Sequence, residues 1–210
     1  SDNINICFQV KNYLILCMTT QLILKIKEII TLSQDEEINI SKYWKLKAIN
    51  KNEFLLRNGD VCKYDNYIVE GSFKAFRINE ETGKEEIIFL AIEDWWASDL
   101  ESFSNQTDSY FNIQALENSK VLQISKISFD NMLEKIPKME KFFRIILQNY
   151  LTTIQKRFLT YNSNNAEKRY LEFISQYSKL NERMPQYLIA SFLGITPEFL
   201  SILKKKINKS

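Results

Sequence analysis

The chain has 210 residues, 45% hydrophobic and 26% charged, with a formal net charge of +2, the composition of an ordinary globular protein of one large or two small domains. It contains no histidine, which removes histidine triads, His-ligated metal hydrolases and His-bound haem sensors. No apolar run approaches the roughly 18 residues needed to span a bilayer. The stretch Tyr13 to Met18 lacks a basic leader and a small-residue cleavage site, so the expectation is a cytoplasmic protein with no membrane partner. Cys7, Cys17 and Cys62 are too few and too scattered for a disulfide framework or a zinc site, and are read as buried or idle thiols. No metal, cofactor or catalytic residue is expected.

Residues 1–17 show no clear period, and Met18 offers an alternative start. Residues 19–32 have helical spacing, with Leu22, Ile26, Ile29 and Ile30 on one side, and Ser33 opens a short acidic helix. From Tyr43 to Ser125 the texture changes to short runs rich in β-branched and aromatic residues. Tyr67 to Val69, Phe73 to Ile78, Glu86 to Ile92 and Lys120 to Ile124 are strand candidates. Turn signals at Asn58-Gly59-Asp60, Glu70-Gly71-Ser72 and Glu80 to Lys84 separate them, the pattern of an antiparallel barrel, roll or sandwich. Phe73, Ala75 and Arg77 alternate with Lys74, Phe76 and Ile78 ahead of Thr82-Gly83, a hairpin signal.

Beyond Pro137 the chain is helical. Lys138 to Tyr161 predicts one helix about 36 Å long, with Met139, Phe143, Leu147, Tyr150, Ile154 and Tyr161 in one row and Phe142, Ile146 and Phe158 in another. Two apolar rows suit either a single-chain core helix or a helix with one row on the β-roll and the other against a twin in a homodimer; we take the latter, with Phe143, Leu147, Tyr150 and Ile154 as the dimer residues. Asn162 to Asn165 is a polar break and hinge, with Asn165 as the next helix cap. Tyr170, Leu171, Ile174 and Tyr177 form the inner face of that next helix.

Residues 164–210 carry eight Lys/Arg against four Asp/Glu, while the remainder has 20 against 22. The basic end suits phosphate contact. Within it, Gln186 to Lys205 reads as a helix-turn-helix. Pro185 suits a helix start, and Ile189, Leu193, Ile195, Leu200 and Leu203 supply contacts between two helices. Ala190 sits under the crossing, and Gly194 supplies the positive φ of the turn. Thr196 is an N-cap, Pro197 an N1 residue, and Glu198 complements the helix dipole. A helical hairpin with no nucleic-acid role is the alternative, and the agreement of Ala190, Gly194 and five apolar positions argues against it.

The chain from about Met18 onward resembles the Crp/Fnr family of transcription regulators, most of all the short branch of Bacteroidetes-type bacteria. The resemblance rests on Phe54 to Gly59, Glu93 to Trp96, Asp99 to Phe103, Ile113 to Glu117, Pro185 to Tyr187 and Leu193 to Ser201. It implies an α+β fold: an N-terminal double-stranded β-helix or jelly roll of the cyclic-nucleotide-binding type over 19–136, a dimerisation helix over 137–161, and a helix-turn-helix without a β-wing over 162–210. Double-stranded DNA and a second copy of the chain are the implied partners; RNA polymerase and a small-molecule effector are two more that the resemblance allows.

Three departures shape what the resemblance carries. Cyclic-nucleotide binders of this fold use a Gly-Glu pair for the ribose and an arginine for the phosphate. The matching stretch here is Ala97 to Glu101, the phosphate position falls near Ser109 and Tyr110, and no arginine occurs between Arg77 and Arg144. A phosphodiester beside Asp99 and Glu101 without a cation would be repelled. Control by cyclic AMP is therefore not expected, and an effector would be neutral or cationic, with Trp95, Trp96, Asp99, Ser109 and Tyr110 as candidate contacts. Trp95 and Trp96 serve equally well as core residues. Second, Ile202 stands where the family's recognition helix often has an arginine; third, the sequence stops at Ser210, so the β-wing of longer relatives is not expected, and four clustered cysteines for an iron–sulfur centre are also absent. Gln186, Thr196 and Ser201 are expected at phosphates, Pro197, Glu198 and Ser201 at base edges, and Lys204, Lys205, Lys206 and Lys209 as sequence-independent attraction. The rival is a ligand- or protein-interaction module that has lost specific DNA recognition, motivated by Ile202.

Overall fold

The structure, a computed structural model, describes residues 19–162 and 166–207. Cys7, Cys17, the side chain of Tyr161, the hinge and cap at 163–165, and Lys209 lie outside them. The chain forms two compact units: residues up to Phe73 together with Ala91–Ile146, and Lys74–Leu90 together with Leu147 onward.

The first unit opens with α1 (19–27) and α2 (Gln34–Tyr43), which begins at a capping box. The Ser33 Oγ accepts from the Glu36 N–H at 3.3 Å and the Glu36 carboxylate accepts from the Ser33 N–H at 2.7 Å, so both orphan donors of the first turn are satisfied. Strands β1 (Lys45–Ile49), β2 (Phe54–Leu56) and β3 (Tyr64–Glu70) follow. After β4 (Phe73–Ile78) and β5 (Glu85–Ala91), which lie mostly in the other unit, come α3 (Leu100–Asn105), β6 (Asn112–Ala115), β7 (Ser119–Ser125) and α4 (Lys126–Lys135). β7 pairs antiparallel with β1 and with β3, aligning Leu122 with Leu46 and with Tyr67, and β2 pairs with β6 across a bulge. The antiparallel roll expected over this region is present.

Leu22, Ile26 and Ile30 of the N-terminal segment join Ile40, Trp44, Tyr67, Leu122, Ile124, Met132, Met139 and Phe142 in one buried cluster. Every residue of β3 from Asp65 to Val69 is buried, so its polar groups must be bonded internally. The Tyr67 hydroxyl donates to Asp94 at 2.6 Å, and Gln21 donates to the same carboxylate oxygen at 2.8 Å. At the β3–β4 turn Gly71 has φ +103°, and a Cβ there would stand 2.1 Å from the Ser119 Oγ. Only glycine fits.

The second unit begins with the hairpin of β4 (Phe73–Ile78, counted from Lys74) and β5 (Glu85–Ala91). The Asn79 side chain accepts from the N–H groups of Glu81 and Thr82, and Gly83 takes φ +66°. The expected alternation of β4 is only partly kept. Lys74 and Phe76 are buried beside Ala75, while Arg77 is exposed. The Lys74 ammonium reaches Glu85 and lies over the Phe76 ring, and that pairing is what allows a lysine to be buried.

Helix α5 (Lys138–Asn162) is one 25-residue helix shared by the two units. In the first unit Met139 and Phe142 are buried, with Phe143 and Ile146 packed against the same cluster. In the second unit Leu147, Tyr150, Leu151, Ile154 and Phe158 are exposed. Then come α6 (Ala166–Gln176), α7 (Ser178–Arg183), α8 (Gln186–Leu193) and α9 (Pro197–Ile207). On α6 the buried residues are Tyr170 and Phe173, whereas Leu171 is exposed. Leu171 was expected inside. Phe173 takes that place because its ring meets both Tyr177 and Phe192, at 5.6 and 5.7 Å, and aromatic pairs of this kind outweigh one leucine.

Candidate nucleic-acid interface

Helices α8 and α9 are built around a turn that the local sequence dictates. Gly194 ends α8 with φ 66° and ψ 38°, and its N–H points back at the helix carbonyls. The Ile195 N–H donates to the Ala190 carbonyl at 3.0 Å, and the Gly194 N–H to that of Ser191 at 3.1 Å. These are the two bonds of a glycine-terminated helix end. Thr196 then caps α9, its Oγ1 accepting from the Phe199 N–H at 3.2 Å. Pro197 occupies the first helical position and Glu198 the first turn. The two helices cross at 97° over Ile189, Ala190, Leu193, Leu200 and Leu203, all buried. Pro185 stands one residue earlier than expected, as the N-cap of α8. Its carbonyl accepts from the N–H groups of Leu188 and Ile189.

The opposite face of α9 is open. Pro197, Glu198, Ser201, Ile202, Lys205 and Lys206 are exposed, as is Gln186 on α8. The basic cluster is not uniform. Lys204 donates to Gln186 at 2.6 Å, and Lys206 pairs with Glu167 at 2.6 Å. Lys205 has no such partner among the described residues and projects from the open face.

On the side of α8, a group of contacts occurs that the sequence did not signal. The Arg157 guanidinium donates to the Ile88 carbonyl at 2.8 Å and to the Phe192 carbonyl at 3.1 Å, and its centre lies 3.9 Å from the Phe192 ring centroid. The Ser191 hydroxyl accepts from the Ile87 N–H and donates to the Glu85 carbonyl, each at 3.3 Å. Strand β5 is thus tied to α8 by side chains bonding to backbone. Such bonds leave no residue-type pattern, which is why spacing could not reveal them.

The expected effector residues are scattered in role. Asp99 is 6% exposed. It is the N-cap of α3, accepting from the N–H groups of Glu101 and Ser102, and it takes a 2.7 Å bond from the Ser109 hydroxyl. Ser109 is in turn fixed by backbone bonds to Gly59 and Asp60. Trp96 packs edge-on against Tyr67 at 5.0 Å and tilted against Phe142 at 5.9 Å, which places it in the core instead of a pocket. Tyr110, at 76% exposed, points to solvent. No cation occurs between Trp95 and Ser119. Asp99 is thus committed to capping α3 and to the Ser109 hydroxyl.

Two further acids or thiols of this unit are displaced from their ordinary pKa by burial. Asp65 is pushed up to about 6, opposed by hydrogen bonds from Ser98 and from the Asn66 backbone. The Cys62 thiol is pushed up to about 11, consistent with a buried, idle cysteine. Among the described residues no single helix is long and apolar enough to cross a membrane.

The described residues thus make up a β-roll, a long helix and a set of C-terminal helices. A cyclic nucleotide-binding domain is matched over residues 46–136. The chain is 29% identical over 177 residues to the fumarate and nitrate reduction regulatory protein of Vibrio cholerae, covering 78% of this chain and 69% of the relative. It is 28% identical over 178 residues to the electron transport regulator A of Shewanella oneidensis, with the same two coverages. Among solved structures, FixK2 from Bradyrhizobium japonicum superposes with a TM-score of 0.67 at 13% identity, covering 79% of this chain and 85% of that one. A CooA variant from Carboxydothermus hydrogenoformans gives 0.65 at 17%, covering 81% and 79%. The chain is thus similar over 78% of its length to regulatory proteins of the Crp/Fnr type.

Proposed function

We propose that the protein acts as a homodimer that binds double-stranded DNA through α9, without control by cyclic AMP. The observation that carries this reading is the α8–α9 geometry: a 97° crossing, a left-handed glycine at the turn, a capped second helix, and an outer face left open. An α9 so presented can enter the major groove with its N-terminal half at base edges. Glu198 and Ser201 face the bases, Thr196 and Gln186 face the phosphate backbone, and Lys205 adds sequence-independent attraction. Within this reading residues 19–136 sense, 137–161 dimerise and 162–210 bind DNA. Phe143 belongs to the core, so the dimer seam is Leu147, Tyr150, Ile154 and Phe158, spaced as successive turns of one face.

The absence of cyclic-nucleotide control is supported by the commitment of Asp99 and Ser109 to each other. The relatives are regulators, and the chain is taken as non-catalytic. A mobility-shift assay with fragments of the host genome tests the DNA reading. Retarded fragments that compete specifically are expected, and no retardation at low salt would leave the rival, an interaction module without DNA recognition.

A further inference from the structure

We infer that Ile202 reads the C5-methyl group of thymine, so that the protein selects T·A pairs at the point where α9 meets the groove. The inference rests on α9 being the recognition helix. Leu200 and Leu203 are buried against α8, which turns Glu198, Ile202 and Lys205 outward, one helical turn apart. Ile202 is 61% exposed at the centre of that outward face. Single exposed apolar residues are common on protein surfaces, but this one occupies the position that a groove-bound helix presents to base edges.

Its side chain carries no donor and no acceptor. Set against guanine O6 and N7, or against cytosine N4, it would displace water and return no hydrogen bond, which is a net cost. Thymine is the one base with an apolar group in the major groove. Against that methyl the same contact buries apolar surface on both sides. Glu198, one turn earlier, points the same way. A carboxylate accepts from adenine N6 or cytosine N4 and is repelled by the paired acceptors of guanine. The two residues together disfavour guanine, and the thymine methyl satisfies Ile202.

The test uses the full chain and duplexes selected by it from a random pool. In each selected site every thymine is replaced, one at a time, by deoxyuridine, which differs only in lacking the methyl. Binding is read by fluorescence anisotropy. The expected result is about a fourfold loss of affinity, the worth of one buried methyl group, at one symmetry-related thymine position per half-site. The Ile202→Ala protein should bind with that position's thymine and deoxyuridine indistinguishable, and should keep the wild-type response elsewhere. Equal binding of every deoxyuridine probe by the wild type overturns the inference while leaving DNA binding intact. So does a thymine preference that survives in Ile202→Ala. Failure to select any duplex overturns the DNA reading and this inference with it.

Discussion

Asp65 shows how a single residue's environment is hidden from its sequence neighbours. Nothing about Tyr64-Asp65-Asn66 marks the carboxylate as buried, yet β3 is enclosed on both faces and the acid's pKa is held near 6 by loss of solvent. Its folded-state value lies above the unfolded one, so the folded protein binds this proton more tightly. The group costs stability as pH rises from about 4 through 6, up to roughly 3 kcal/mol at neutrality. Urea midpoints should therefore favour Asp65→Asn over the wild type at pH 7, with the advantage shrinking toward pH 4. A gap between the two proteins that is independent of pH would count against it. Gly71, by contrast, was visible as a turn residue in Glu70-Gly71-Ser72, although the closeness of Ser119 was not. Gly71→Ala should cost several kcal/mol in a denaturant titration, because both a positive φ and a Cβ collision oppose it. The α9 cap was legible to the atom: Thr196, Pro197 and Glu198 have the roles that their types and spacing implied.

At the scale of elements, periodicity located α5 and the α8–α9 pair well, because their apolar rows repeat over several turns. It failed on α6, where Leu171 and Phe173 both suit an inner face and only aromatic contacts with Tyr177 and Phe192 decide. It also missed the tie of β5 to α8, made by Ser191 and Arg157 to backbone atoms. The exposed row on α5 leads to a clear expectation. Leu147→Asp or Ile154→Asp should convert a dimer to a monomer in light scattering at tens of micromolar, with the far-ultraviolet circular dichroism unchanged. A wild-type protein already monomeric there would contradict the seam. On α9, Lys204 and Lys206 are engaged with Gln186 and Glu167, so Lys205 should carry the larger share of phosphate attraction. Lys205→Ala should weaken binding to all sequences about equally and reduce the salt slope by about one per protomer. Ile202→Arg should instead redirect preference toward guanine, tightening G-containing sites by roughly 1–3 kcal/mol.

For the whole molecule, the class of fold was legible because three signals agreed: short strands with turns, a long two-rowed helix, and a basic end with a constrained turn. The candidate effector residues were legible only as a mismatch. Sequence could say that no arginine awaits a phosphate, but not that Asp99 is spent on capping α3 or that Trp96 is core. Isothermal calorimetry with cyclic AMP and cyclic GMP should accordingly show no binding in the micromolar range.

The most direct measurement is sedimentation velocity of the full chain with a labelled duplex it selects, over a range of salt and without added nucleotide. Two protomers per duplex, an affinity falling linearly in log–log form with salt, and no change on adding cyclic AMP are the expected results. No complex at low salt, or a complex that forms only with cyclic AMP, would contradict a nucleotide-independent dimer reading DNA through α9.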